Sequence, residues 1–176
     1  VAKGYAVSEH RFDSAWVSED GVEVRGGARD AFYDLPVLQK LGAVGLFAIE
    51  TIAYQAEQML GISRASRLMK LLSLPGPVRK RLGRVQRQHG HLQTIVRLHA
   101  IAHEVIPTRF DCVTTSLTLW WVLRNAGFEP ELKVGVRSFG GVFDAHAWVT
   151  LDGVVLNDIR GEYRDYHEMP SPIVSG

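Results

Sequence analysis

The chain has 176 residues, 46% of them apolar and 22% charged, with a formal net charge of +1 and a single cysteine. That length holds one domain with a sizeable core, or one catalytic domain with a small appendage, and is a tight fit for two. The composition excludes a disordered chain, the small net charge gives no general push toward nucleic acid or membrane, and one cysteine excludes an intrachain disulfide.

An unpaired thiol sits most comfortably in a reducing cytoplasm, the compartment expected here, and it makes Cys112 the residue to explain. The longest apolar stretch, Leu41 to Ile49, is interrupted by Gly42 and Gly45 and closed by Glu50. It falls short of the ~20 residues of a membrane span, so no transmembrane segment is expected. Residues 1 to 10 lack an apolar secretory core, and secretion is not expected either. Between Glu57 and Glu104 there is no acid, while Arg64, Arg67, Lys70, Arg79, Lys80, Arg81, Arg84, Arg87 and Arg97 all fall there. Such a band is ordinarily a solvated helix face; the alternative is a surface for an acidic peptide, a partner protein or nucleic acid.

In chain order, residues 1 to 36 read as short strands and turns: Ser14 to Val17, the turn signal Glu19-Asp20-Gly21, Val22 to Arg25, Gly26-Gly27 and the pair Phe32-Tyr33. Pro36 opens a run, Val37 to Leu60, whose apolar residues recur at three- and four-residue intervals, as an amphipathic helix requires. Ser63 is the expected N-cap of a short helix through Leu72, stopped by Pro75-Gly76-Pro77. Val78 to about Ile106 is helical again and ends before Pro107.

Within the segment Asp111 to Asn125 the stretch Leu117 to Leu123 is apolar on nearly every face, which marks a buried central helix, with Asp111 as N-cap and Gly127 as C-terminal cap. After Pro130 the period becomes two: Leu132, Val134 and Val136 alternate with Lys133, Gly135 and Arg137, and Ala145 to Leu151 and Val154 to Asn157 complete an antiparallel meander. Helices followed by strands predict an α+β domain.

The candidate chemistry is a cysteine at the start of a buried helix, a histidine in a strand, and an aspartate at the end of the next strand. Unpaired N–H groups at a helix N-terminus favour a thiolate. An adjacent imidazole takes the thiol proton and later protonates the departing amine, and a carboxylate on the other ring nitrogen fixes the tautomer. The competing reading is structural: a lone Cys is usually a small buried hydrophobe, and a strand His is often merely hydrogen-bonded.

Local sequence separates the two. The segments Cys112 to Gly127, Val134-Gly-Val-Arg, Asp144-Ala-His-Ala-Trp-Val and Gly153-Val-Val-Leu-Asn-Asp resemble the leader peptidase (B protein) of lasso-peptide biosynthesis, a papain-like cysteine protease of the transglutaminase-like superfamily. The resemblance covers roughly residues 75 to 160, with 34 positions from Cys112 to His146 and 12 from His146 to Asp158. It implies a transglutaminase-like fold for residues 61–176 and a cytoplasmic peptidase that removes the leader of a precursor peptide. Cys112 is then nucleophile, His146 general base and acid, and Asp158 the orienting group. The partners it implies are the precursor itself, a leader-binding protein or fused domain, and a separate ATP-using, asparagine-synthetase-like cyclase. Neither cofactor nor metal is expected.

Two departures stand out. The family usually has an arginine three residues after the cysteine, where this chain has Thr115, and residues 1–60 are short for a complete leader-binding domain, so they are either a truncated one or a cap.

His99 and His103 stand i, i+4 on a helix, but Ala100 occupies the place where a zinc protease needs its glutamate, which argues against metal. Trp148 shares a strand face with His146. Asp144 precedes the histidine by two residues, and the Cys112 backbone N–H is the default oxyanion donor.

A two-residue Asp152-Gly153 turn would set Asp158 opposite Ala147, on the wrong face, a register that cannot build a triad. A three-residue loop, Leu151-Asp152-Gly153 with a G1 bulge, would pair Thr150 with Val154 and His146 with Asp158, and is the register expected. A transglutaminase-like acyltransferase, which passes the thioester to an amine, and a non-catalytic binding module with an inert Cys112 remain the alternatives.

Overall fold

The computed structural model describes residues 15–18, 21–24, 28–78, 91–105, 111–158 and 161–169. A first hairpin pairs β1 (Ala15–Ser18) with β2 (Gly21–Val24), as the turn signal at residues 19–21 predicts. Phe32 and Tyr33 do not continue it; they belong to a one-and-a-half-turn helix, α1 (Ala28–Tyr33). Lys40 Nζ donates to the Tyr33 carbonyl at 2.7 Å and so covers one of the acceptors left open at that helix end.

The long helix α2 (Val37–Leu60) runs between the boundaries its periodicity predicts. It buries Ala43, Leu46, Glu50 and Ala53, while Val37, Leu38, Leu41, Val44, Ile52 and Met59 stay exposed. Its 24 residues are also long and apolar enough to cross a membrane by length and composition, a span the broken Leu41–Ile49 stretch does not reveal. Gly61, at φ 77°, separates α2 from α3 (Ile62–Leu71). Ser63 is therefore not the N-cap; it lies one residue inside the helix, because the positive φ at Gly61 has already turned the chain. Of the predicted helix Val78 to Ile106, α4 (His91–Val105) is described, and residues 79–90 and 106–110 lie outside the described ones.

α5 (Cys112–Asn125) is the central helix. Leu117, Leu119, Trp120 and Leu123 are fully buried, each side chain contributing on the order of 1.5–3 kcal/mol from water exclusion. Asp111 caps its start by accepting the Thr114 N–H at 2.7 Å. At its end Gly127 N–H donates to Arg124 O and Phe128 N–H to Leu123 O, the paired bonds of a Schellman motif. Trp121 Nε1 donates to Met69 O at 2.7 Å and Leu74 N–H to Asn125 Oδ1 at 2.7 Å, which fixes α5 to the end of α3.

The second sheet has the order β5-β4-β3-β6, all antiparallel neighbours: β3 (Glu131–Phe139), β4 (Val142–Leu151), β5 (Val154–Val155) and β6 (His167–Glu168). Leu132 and Val149 pair across β3 and β4 and join Leu117, Leu119, Trp120, Leu123, Phe128 and Leu156 in one core, into which α2 inserts Ala53 and α3 Met69. A second cluster, of Ala31, Leu35, Ala43, Leu46, Leu98, Ile101 and Ala102, binds α1 and α2 to α4. The alternation expected in β3 holds only at its start: Leu132 is buried, Lys133 and Val134 are both half-buried, and Val136 is exposed, because the far end of the β3–β4 hairpin projects beyond the core. The architecture is the α+β arrangement the sequence predicts.

Candidate functional site

Cys112 is the first residue of α5, held there by the Asp111 cap. Its Sγ lies 3.9 Å from the Ala145 carbonyl, on the edge of β4 that β3 leaves uncovered. The next residue, His146, is half-buried and points its ring between the thiol and Asp158. His146 Nε2 is 3.1 Å from Asp158 Oδ2, so Nε2–H is donated to the carboxylate and Nδ1 is left for the thiol. Asp158 is 6% exposed and accepts two further bonds, from Tyr163 N–H at 2.6 Å to Oδ2 and from Glu162 N–H at 3.2 Å to Oδ1. The carboxylate is thereby fixed from both sides. The hydrogen bond with Cys112 raises the His146 imidazole above its ordinary range, with the charges of Cys112 and Asp158 and the Asp158 bond adding to it; burial works against them.

Asp158 reaches His146 by a different route from the expected three-residue loop. Leu151 pairs with Val154, so Asp152-Gly153 is a two-residue turn, with φ 52° and 81°. The ladder then stops. Leu156 N–H still donates to Val149 O, but the return bond is missing: Val149 N–H goes to the Asn157 side-chain Oδ1 at 2.8 Å. Freed from the pleat after Leu156, the chain turns Asp158 onto the face of His146, which an unbroken two-residue hairpin would deny it.

On that face the packing is aromatic. His146 stands opposite Gly135 in the ladder, and around them lie Trp148 (stacked on His146, centroids 5.9 Å apart), Tyr166 (5.2 Å from His146) and Tyr163 (5.9 Å from Trp148). Gly135 makes this possible: a Cβ there would fall 2.7 Å from Tyr166 Cβ and 2.9 Å from Trp148 Cη2. Trp148 is where its strand parity predicts.

Tyr166 donates to Asp144 Oδ2 at 2.7 Å, and Arg137 both binds that oxygen, at 2.9 and 3.0 Å, and covers the Tyr166 ring at 4.5 Å. Loss of water around it, then its bond to Asp144, push the Tyr166 phenol up to about 12. The bond from Tyr166, then that from Arg137, hold Asp144 below the usual carboxylate range. Asp144 thus belongs to the rim beside the site.

Thr115, at the position where the lasso family carries arginine, turns its hydroxyl back on the Asp111 carbonyl at 3.0 Å and serves the helix start. Thr114 donates to Glu57 Oε2 of α2 at 2.7 Å. Burial raises the Glu57 carboxyl, the Thr114 bond opposes this, and the nearby charge of Asp111 adds to it. His99 Nε2 lies 3.1 Å from Glu50 Oε1, both buried, at ion-pair distance but without hydrogen-bond alignment. Among the described residues no three His, Cys, Asp or Glu side chains stand together as a metal site. Gly135, Tyr163, Tyr166, Ser116 and Asn157 have no role assigned from the sequence; Ser116, one turn from Cys112, stands among Thr114, Thr115 and Thr118, which hides it.

A family model described as the transglutaminase-like superfamily matches residues 58–171. No curated protein and no solved structure matches the chain.

Proposed function

Because this chain belongs to the transglutaminase-like superfamily, we propose that it is a cysteine peptidase that removes the leader from a ribosomally made lasso-peptide precursor through a thioester intermediate. The observation that carries the reading is the buried Asp158 carboxylate on His146 Nε2, with the opposite ring nitrogen left for Cys112 at the head of α5. Family membership supports cysteine chemistry, and the quoted resemblance supports the peptide substrate.

In this reading His146 Nδ1 takes the Cys112 proton and the thiolate attacks the scissile carbonyl. The tetrahedral intermediate collapses as Nδ1 protonates the departing amine, leaving an acyl-thioester on Cys112. A water then gives a proton to Nδ1, attacks the thioester and releases the carboxylate, with the thiol reformed. Asp158 keeps Nε2–H and steadies the imidazolium throughout. The proposed setting is the cytoplasm, with a separate leader-binding protein presenting the precursor and an ATP-using cyclase taking the product.

Mass spectrometry of a precursor peptide incubated with the chain tests this. Hydrolysis gives two fragments whose masses sum to precursor plus water; transfer to an added amine gives a joined species and assigns the acyltransferase activity instead. Cys112→Ala should fold and yield neither product. Full cleavage by folded Cys112→Ala would end the cysteine-peptidase reading.

A further inference from the structure

Three hydrogen bonds, one buried and two half-buried, connect the segments that carry Cys112, His146 and Asp158. Ser116 Oγ donates to Ala147 O at 2.9 Å, Asn157 Nδ2 donates to Ser116 Oγ at 2.8 Å, and Asn157 Oδ1 accepts Val149 N–H at 2.8 Å. Three of the four members lie close in sequence to one candidate group each, and the fourth, Val149, belongs to the strand that carries His146. Ser116 stands one helical turn after Cys112, on the same face of α5. Ala147 follows His146, and Asn157 precedes Asp158. Ser116 is fully buried, and its hydroxyl is used as donor and acceptor at once. The two side chains occupy the edge of β4 that β5 abandons after Leu156.

We infer that Ser116 and Asn157 are positioning residues, a polar clamp that sets the separation of Cys112 from His146 and turns Asp158 onto the imidazole. The inference rests on the proposed peptidase reading, but its geometric part stands without it. An apolar contact is non-directional and would let α5 slide along β4; a hydroxyl held by a donor and an acceptor fixes the helix along the strand. The bond lengths leave little slack, and a shift of about 1 Å in the relation of nucleophile and base is enough to cost on the order of a hundredfold in rate.

The experiment compares wild type, Ser116→Ala, Ser116→Thr, Asn157→Ala and Cys112→Ala by His146 titration, followed by NMR on histidine-labelled full chain, and by kcat and KM on a leader-bearing precursor peptide. Phe128→Leu, a core change beyond the end of α5, serves as control for lost stability. Ser116→Ala should move the His146 pKa down toward its value in Cys112→Ala and lower kcat by about tenfold or more at unchanged KM. Ser116→Thr, which keeps the hydroxyl, should restore both, and Phe128→Leu should change neither.

Asn157→Ala removes the donor to Ser116 and the acceptor for Val149 N–H without adding a charge beside the imidazole, so it should shift the titration in the same direction. It decides the question if Ser116→Ala does not fold. A folded Ser116→Ala or Asn157→Ala with wild-type His146 titration would overturn the clamp. Absence of peptide cleavage by the wild type would overturn the peptidase reading alone, since the titration would still report whether the clamp sets the Cys112–His146 contact.

Discussion

The two hairpins that share β4 close on turns of one kind and end differently. Gly140-Gly141 and Asp152-Gly153 are both two-residue turns with positive φ at both positions. The β3–β4 ladder then runs unbroken from Phe139–Val142 to Glu131–Thr150, whereas β4–β5 keeps only Leu151–Val154 and Thr150–Val155. The continuous ladder is a ruler: it places His146 opposite Gly135 and Trp148 opposite Lys133 by parity. The interrupted one is a swivel, because parity alone would have kept Asp158 from His146. A site of this kind combines one regular strand that holds the histidine with one departure from regularity that delivers its carboxylate partner.

The largest effect should come from the swivel side. Asp158→Asn offers one side-chain oxygen where the carboxylate serves His146, Glu162 N–H and Tyr163 N–H. We expect the proposed leader cleavage to slow by about a hundredfold or more, through loss of the group that holds the imidazolium, with the fold retained. In the same variant the His146 pKa should fall, and by less than in Cys112→Ala, because the Cys112 contact is the larger cause of its upward displacement. An Asp158→Asn enzyme with unaltered rate and titration would reduce the site to Cys112 and His146.

The raised imidazole also has a consequence for stability. Between the ordinary value of 6.5 and its higher folded value, His146 binds more proton in the folded chain than in the unfolded one. Its contribution is therefore complete below about pH 6.5 and is lost as the pH rises through the folded value. Urea unfolding of wild type and His146→Ala at both ends of that window should show the difference between them shrinking with rising pH; a difference that grows would refute the assignment.

On the ruler side, Gly135→Ala should cost about 1–3 kcal/mol, since the new methyl meets the Tyr166 Cβ, which cannot move without its backbone. Chemical denaturation measures this, and a neutral result would show that β6 and Tyr166 yield easily. The smallest effects sharpen the contrast between the hinges. Gly141→Ala and Gly153→Ala should each cost about 1–2 kcal/mol from the left-handed backbone, yet only Gly153→Ala should disturb the His146 titration. Equal disturbance by both would mean that the short β5 ladder does not steer Asp158.

Much of this was legible in the residues. The α2 limits followed from apolar periodicity after Pro36, the Asp111 cap from a short polar side chain before an apolar run, and the Cys, His, Asp order from the chemistry each group needs. The His146–Asp158 bond was expected and is present, but by the wrong route. The error came from assuming that backbone pairing persists to Asp158. Asn157 replaces a carbonyl with a carboxamide, and a side chain that substitutes for main chain leaves no periodic trace. Gly135 looked like an ordinary polar-phase position of β3, and its need for emptiness depends on Tyr166, 31 positions away. β6 is two residues long, too short for any pattern.

Trp148 lies against His146 with its ring tilted by only 27° and is 3% exposed. A protonated imidazole on an indole face is a cation–π pair, which itself favours the proton. It also quenches indole emission. As alkali strips the proton from His146, the Trp148 share of the emission, taken as the difference between wild type and Trp148→Phe to subtract the other three tryptophans, should brighten, giving a readout of the ionisation state without label or substrate.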